Sequence, residues 1–107
     1  MLAQHRLHDM SGTEPVGIRI KRERLAREMT QRQLADRIGV GVPHVSKVEA
    51  GRESPSDELL VKIAEVLEID PGELLLAAKR VPEDLLEQLA ADPAGGIEFL
   101  RRWQSER

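Results

Sequence analysis

Met29-Thr-Gln-Arg-Gln-Leu-Ala-Asp-Arg-Ile-Gly-Val-Gly-Val-Pro-His-Val-Ser-Lys-Val-Glu-Ala-Gly51 is the stretch whose reading decides the fold. Thr30 stands at an N-cap position and Gln33 follows three residues later, the spacing of a capping box in which each side chain satisfies the other residue's backbone N–H. Leu34, Ala35 and Ile38 then form one apolar face, predicting a helix over 31–38. Gly39 ends it, supplying the left-handed backbone that a sharp turn needs. A second helix over 42–50 turns Val45 and Val48 inward and closes on Gly51. Pro43 suits its first turn, where a missing amide hydrogen costs nothing.

Two helices crossed over so short a turn form a helix-turn-helix unit, and the second helix of such a unit can enter a DNA major groove. The surrounding sequence supplies the scaffold. A first helix is predicted over 16–27, with Val16, Ile20 and Leu25 as its apolar contacts and Arg19, Lys21, Arg22, Arg24 and Arg27 around them. Pro55 stops propagation after the second unit helix, and Ser56 caps a helix over 57–67 whose inner face is Leu59, Leu60, Ile63, Ala64 and Leu67. Asp70-Pro71 opens a fifth helix, with Asp as N-cap, Pro at N1, and Leu74, Leu75 and Ala78 as apolar positions. Pro82 is expected at N1 of a sixth, lined by Leu85, Leu86 and Leu89, and Asp92-Pro93 opens a seventh through Ile97, Leu100 and Trp103. The last two read as an αα-hairpin whose apolar side needs a surface to cover. The expected fold class is therefore all-α, a five-helix domain over 16–80 with a two-helix extension over 81–107.

Residues 1–15 lack periodicity and include Ser11, Gly12, Thr13 and Pro15, so a mobile tail is expected. His5, His8 and Asp9 lie close enough to suggest a metal site, but a floppy site would have to supply its own ordering entropy, and no metal is expected. Cysteine is absent, which excludes disulfides, thiolate metal sites and a cysteine nucleophile. No apolar run approaches a membrane span and no signal-peptide core follows Met1, so a cytoplasmic protein is expected. The formal net charge of −3 conceals a split. Residues 16–55 carry nine Lys/Arg against five Asp/Glu, whereas residues 56–107 carry six against twelve. Phosphate responds to the local field, so the positive half can serve a polyanion.

The order and spacing of Ile20-Lys-Arg-Glu-Arg24, Met29-Thr-Gln-Arg-Gln-Leu-Ala35, Val45-Ser-Lys-Val-Glu-Ala-Gly51 and Pro55-Ser with the Leu59–Leu67 pattern resemble the Cro/C1-type, or Xre-like, helix-turn-helix regulators of lambda-repressor-like fold. The resemblance covers roughly residues 16–78. It implies that Gln31, with Thr30 and Gln33 beside it at the start of the second helix, meets backbone phosphate, and that Arg52 does the same. It makes the third helix the reading element, through Val42, Pro43, His44, Ser46 and Lys47. It also pairs Arg24 of the first helix with Glu49 near the end of the third. Three positions depart from the family's habit. Glu28 replaces a frequent glycine, Val42-Pro43 replaces polar reading residues, and Glu53 replaces a frequent base. Val42 can touch a thymine methyl, and Lys47 to guanine is the best polar contact.

The leading expectation is a sequence-specific transcriptional regulator, a repressor that binds a two-fold DNA operator as a homodimer without a cofactor. Its dimer surface would use the fifth helix or the added hairpin. The alternative is an antitoxin-like or partner-controlled module that binds another polypeptide through the acidic, leucine-lined segment 82–104 as well as its own operator. An enzyme is not expected. Two of the three histidines lie in the tail, and His44, Ser46 and Glu49 lie on different faces of their helix, so no nucleophile, base and orienting group can be assembled.

Overall fold

The computed structural model describes residues 14–106. They form an all-α fold of seven helices: α1 Val16–Ala26, α2 Gln31–Ile38, α3 Val42–Glu49, α4 Asp57–Leu67, α5 Pro71–Ala77, α6 Glu83–Ala91 and α7 Pro93–Ser105. The histidine cluster of the N-terminal tail lies outside the described residues.

The core belongs to α1–α5. Leu34, Leu60, Ile63, Leu67 and Leu74 are fully enclosed together with Ile20, and Val45 and Val48 close the layer from α3. α4 is its central post and packs against α2, α5 and α1. α2, α4, α5 and α7 each start at a side-chain cap. Thr30 Oγ1 accepts from Gln33 N at 3.0 Å, and Gln33 Oε1 accepts from Thr30 N at 2.8 Å. Ser56 Oγ accepts from Leu59 N, and Asp70 and Asp92 carboxylates accept from Gly72 N and Gly95 N.

The helix ends share one device. After each of α1 to α5 the chain turns through a left-handed residue, and the amides of that residue and of the next one donate back onto the last turn. α2 and α3 use glycine there, Gly39 and Gly51; α1, α4 and α5 use Glu28, Glu68 and Lys79, at φ of 54°, 59° and 64°. The Glu28 position is thus left-handed without a glycine. At Glu68, the amide of the next residue, Ile69, donates to Ala64 O at 2.8 Å and its side chain joins the core, which holds the turn in place. Left-handed backbone costs an L-residue roughly 1–2 kcal/mol. Glu68→Gly is therefore expected to raise Tm by a few degrees, after allowing roughly 0.5–1 kcal/mol for the extra freedom of glycine in the unfolded chain. Thermal unfolding followed by circular dichroism checks this.

Three expectations need correction. Leu25 is exposed rather than a core contact. The inward stripe of α1 runs through Gly17, Ile20 and Arg24, so the charged residue takes the place that hydropathy assigns to the leucine. Pro82 is the N-cap of α6, not its first helical residue, and α3 stops at Glu49 with Ala50 as its C-cap. The apolar residues of α6 and α7 pack on one another but none is buried, because two helices alone cannot enclose a layer.

Candidate nucleic-acid interface

α3 lies on the outside of the core with a divided surface. Val45, Val48 and Glu49 face inward. At about 100° per residue, the opposite stripe is Pro43, Lys47 and Ala50, all exposed. Val42 and Ser46 form one half-buried shoulder of that stripe and His44 the other. The single polar group on the outermost line is thus the Lys47 ammonium. His44 has a partner that the sequence does not announce: its Nδ1 lies 2.9 Å from Glu53 Oε2, in the loop after α3. Arg52 is exposed just past the left-handed Gly51, and its backbone amide donates to Lys47 O at 2.8 Å.

Behind this surface a buried polar node joins three helices. The Arg24 guanidinium donates from Nε to Glu49 Oε2 at 2.7 Å and from Nη2 to Oε1 at 2.9 Å. Its Nη1 donates to Met29 O at 2.7 Å, in the turn before α2. Gln31 Nε2 donates to Glu49 Oε1 at 3.0 Å. Arg24 is 5% exposed and Glu49 7%, and no buried side-chain nitrogen or oxygen among the described residues lacks a partner. A bidentate guanidinium–carboxylate contact fixes orientation as well as distance. The node therefore sets α3 against both α1 and the start of α2.

Gln31 is thus held from behind by Glu49. Its second amide hydrogen and the first amides of α2 are left at the helix N-terminus, where the dipole favours an anion. Thr30 and Gln33 spend their side-chain oxygens on each other, as the capping box requires.

The positive half of the chain is reorganised by ion pairing. Arg19 donates to Glu73 at 2.7 Å and to Glu23 at 3.0 Å, Arg22 to Glu14, and Arg27 to Glu23. The Glu73 hydrogen bond holds the Arg19 guanidinium above its usual pKa, and Glu14 does the same for Arg22. Arg27, then Arg19, hold the Glu23 carboxyl below the usual carboxylate range. The α1 arginines are therefore occupied within the chain. Among the described residues eight lysines and arginines carry no ion pair; four of them, Arg32, Arg37, Lys47 and Arg52, lie together on α2, α3 and the loop after α3, whereas Lys21, Lys62, Lys79 and Arg101 are spread over the rest of the fold. The Arg19–Glu23–Arg27 chain is readable from its i, i+4 spacing. The Arg19–Glu73 and His44–Glu53 contacts join distant elements and have no such signal.

Among the described residues no helix is long and apolar enough to cross a membrane, and no cluster of histidine and carboxylate side chains could hold a metal ion.

Known proteins share this arrangement. The helix-turn-helix family model HTH_3 matches residues 20–74. The chain is 45% identical over 56 residues to the cryptic phage CTXphi transcriptional repressor RstR of Vibrio cholerae, a match covering 52% of this chain and 50% of RstR. The matched segment thus spans about half the length of that repressor. It is 34% identical over 84 residues to the transcriptional regulator ClgR of Mycobacterium tuberculosis, covering 77% of this chain and 73% of ClgR. Among solved structures, a chain of the SinR–SinI protein complex superposes with a TM-score of 0.54 at 25% identity, covering 86% of this chain and 99% of that one. With the capped α2, the tight turn, the outward α3 and the family match over more than half its length, the chain belongs to the Cro/C1-type helix-turn-helix family of DNA-binding domains.

Proposed function

We propose that this chain is a sequence-specific transcriptional regulator, a repressor that binds a two-fold DNA operator as a homodimer, with α3 in the major groove. The observation that carries the reading is the unpaired cationic surface of α2, α3 and the following loop, built around an α3 held rigidly by Arg24 and Glu49. Gln31, the first α2 amides and Arg52 position the protein on phosphate, with Thr30 and Gln33 shaping that helix start. Lys47 reads a guanine edge, Val42 touches a thymine methyl, and Pro43 allows close approach. Ser46 and His44 serve flanking positions. So poor a polar edge leaves part of the selectivity to DNA shape. Residues 16–80 form the DNA-binding unit, and 81–107 an extension for dimer or partner contact.

Selection of bound sites from random DNA, followed by salt titration, tests this. A palindromic consensus and a steep fall of affinity with salt are expected. Lys47→Ala is expected to relax preference at one base pair per half-site, at a cost of about 1–3 kcal/mol. Gln31→Ala is expected to weaken all sequences equally. Uniform loss in both variants would refute the division between positioning and reading.

A second reading is a regulator controlled by another polypeptide through 82–104. The exposed leucines of α6, its acidic residues and the likeness to a chain of the SinR–SinI complex favour it. Recovery of a stoichiometric partner with the chain, displaced together with loss of DNA binding, would support that reading over the first.

A further inference from the structure

We propose that Glu53 is a positioning residue for base reading: by holding the Nδ1 hydrogen of His44, it sets the opposite ring nitrogen as an acceptor for an adenine or cytosine amino group. The inference rests on the reading of α3 as the element in the major groove, and it names the base chemistry at one position of that element.

His44 stands on the half-buried shoulder of the exposed α3 stripe, next to Pro43 and about one turn from Lys47. Its Nδ1 lies 2.9 Å from Glu53 Oε2, beyond the left-handed turn at Gly51. An ionised carboxylate only accepts, so Nδ1 carries a hydrogen. In the neutral imidazole the other nitrogen, Nε2, is then an acceptor. Nε2 has no partner among the described residues, and no buried side-chain nitrogen or oxygen among them lacks one. Nε2 therefore reaches solvent, where a base edge can meet it. Behind the ring the neighbours from the other helices are apolar: Ile20 of α1, Ile38 of α2 and Leu59 of α4. The charged neighbour on that side, Glu49, is already held by Arg24 and Gln31. On the outer side, Lys47 of α3 and Arg52 of the loop are cations and accept nothing. Glu53 thus selects one tautomer without competition.

The carboxylate itself opposes DNA. It follows Arg52 directly, in the loop assigned to phosphate, and there it repels every duplex alike. What it adds is discrimination. In the major groove adenine N6 and cytosine N4 present hydrogens, whereas thymine O4 and guanine O6 present lone pairs. An acceptor fixed at Nε2 favours the first two and disfavours the last two. A histidine free to exchange tautomers could meet either class. Glu53 therefore turns an indifferent ring into a reader of amino against keto bases.

Selection from a library of randomised duplexes at about pH 8, with the full chain and two variants, tests the proposal. The parent is expected to enrich adenine or cytosine over guanine and thymine at one position of each half-site, and His44→Ala should lose that enrichment alone. Glu53→Gln keeps the shape but can either accept from Nδ1 or donate to it. It should cut the discrimination at that position roughly fivefold, the worth of one hydrogen bond, while other positions keep their preference. The same variant should bind a duplex outside the consensus more tightly than the parent, by a gain that shrinks as salt rises. A purely structural Glu53 would instead weaken all sequences together. Acidification to about pH 5.5 should protonate Nε2 and move the parent's preference there toward guanine and thymine, with no such move in His44→Ala. Unchanged discrimination in Glu53→Gln, uniform loss over all sequences, a keto preference at the higher pH, or a preference indifferent to acid would each overturn the assignment while leaving α3 as the reading element. A parent with no base preference at any position would overturn the reading of α3 itself, and this inference with it.

Discussion

Arg24→Ala is expected to lower the unfolding free energy by about 3–5 kcal/mol, the range for removing one partner of a buried ion pair. The loss follows from what remains. Glu49 would keep Gln31 as its only hydrogen-bond donor from the node, and a carboxylate 7% exposed cannot recover its hydration. It would also sit in the last turn of α3, where the helix dipole disfavours an anion. Met29 O would lose its 2.7 Å donor at the same time. Against a total stability of about 5–15 kcal/mol for a domain, such a loss leaves little margin. Arg24→Lys should lose less, since a point charge replaces one charged contact but not the fork. Replacing both partners, as Arg24→Met with Glu49→Leu, should cost less than Arg24→Ala alone, because no buried charge is stranded. Urea denaturation with an unchanged m-value checks each variant. A loss below about 0.5 kcal/mol for Arg24→Ala would place the pair among surface charges.

How much of this was legible in the chain depends on the range of the interaction. The Thr30–Gln33 box, the Ser56 and Asp70 caps and the left-handed Gly39 are local, so spacing alone reveals them. The α4 stripe is legible for the same reason: five apolar residues at helical period face one core. Leu25 shows where this reading stops. Periodicity cannot say that α1 turns a guanidinium inward, because a partner on α3 reverses the ordinary cost of burying it. The positive charge of α1 was legible as composition, but Glu73, 54 residues from Arg19, neutralises part of it through the fold. At the candidate interface, the positions of Val42, Pro43, His44, Ser46 and Lys47 on α3 follow from helix geometry. Two tethers do not: Glu53 beside His44, and Glu49 behind Gln31. Both need the turn after α3 and the crossing of α2 and α3 to be known first.

Gly17→Ala is expected to destabilise by about 1–3 kcal/mol, although alanine is the better helix former by nearly 1 kcal/mol. Glycine near the start of a helix ordinarily reads as a small weakness in its first turn. Here it is the point at which α1 crosses the end of α3. A Cβ at 17 would lie 2.3 Å from Val48 O and 2.8 Å from Glu49 O. These are backbone oxygens of the closing turn of α3, which cannot rotate aside as a side chain could. Relief requires α1 and α3 to separate. Ile20 and Arg24 lie on the same inward stripe as Gly17, so separation would thin the core and lengthen the Arg24–Glu49 contact together. The cost should therefore couple to the ion pair. Gly17→Ala combined with Arg24→Ala should lose less than the two single losses added, because the first already loosens what the second removes. Ile18→Ala, one residue along and exposed, should change stability by about 0.5 kcal/mol or less. A Gly17→Ala variant as stable as the parent would mean that α1 does not rest on the carbonyls of α3. The rigid placement of α3, on which base reading depends, would then have to come from α2 and α4 alone.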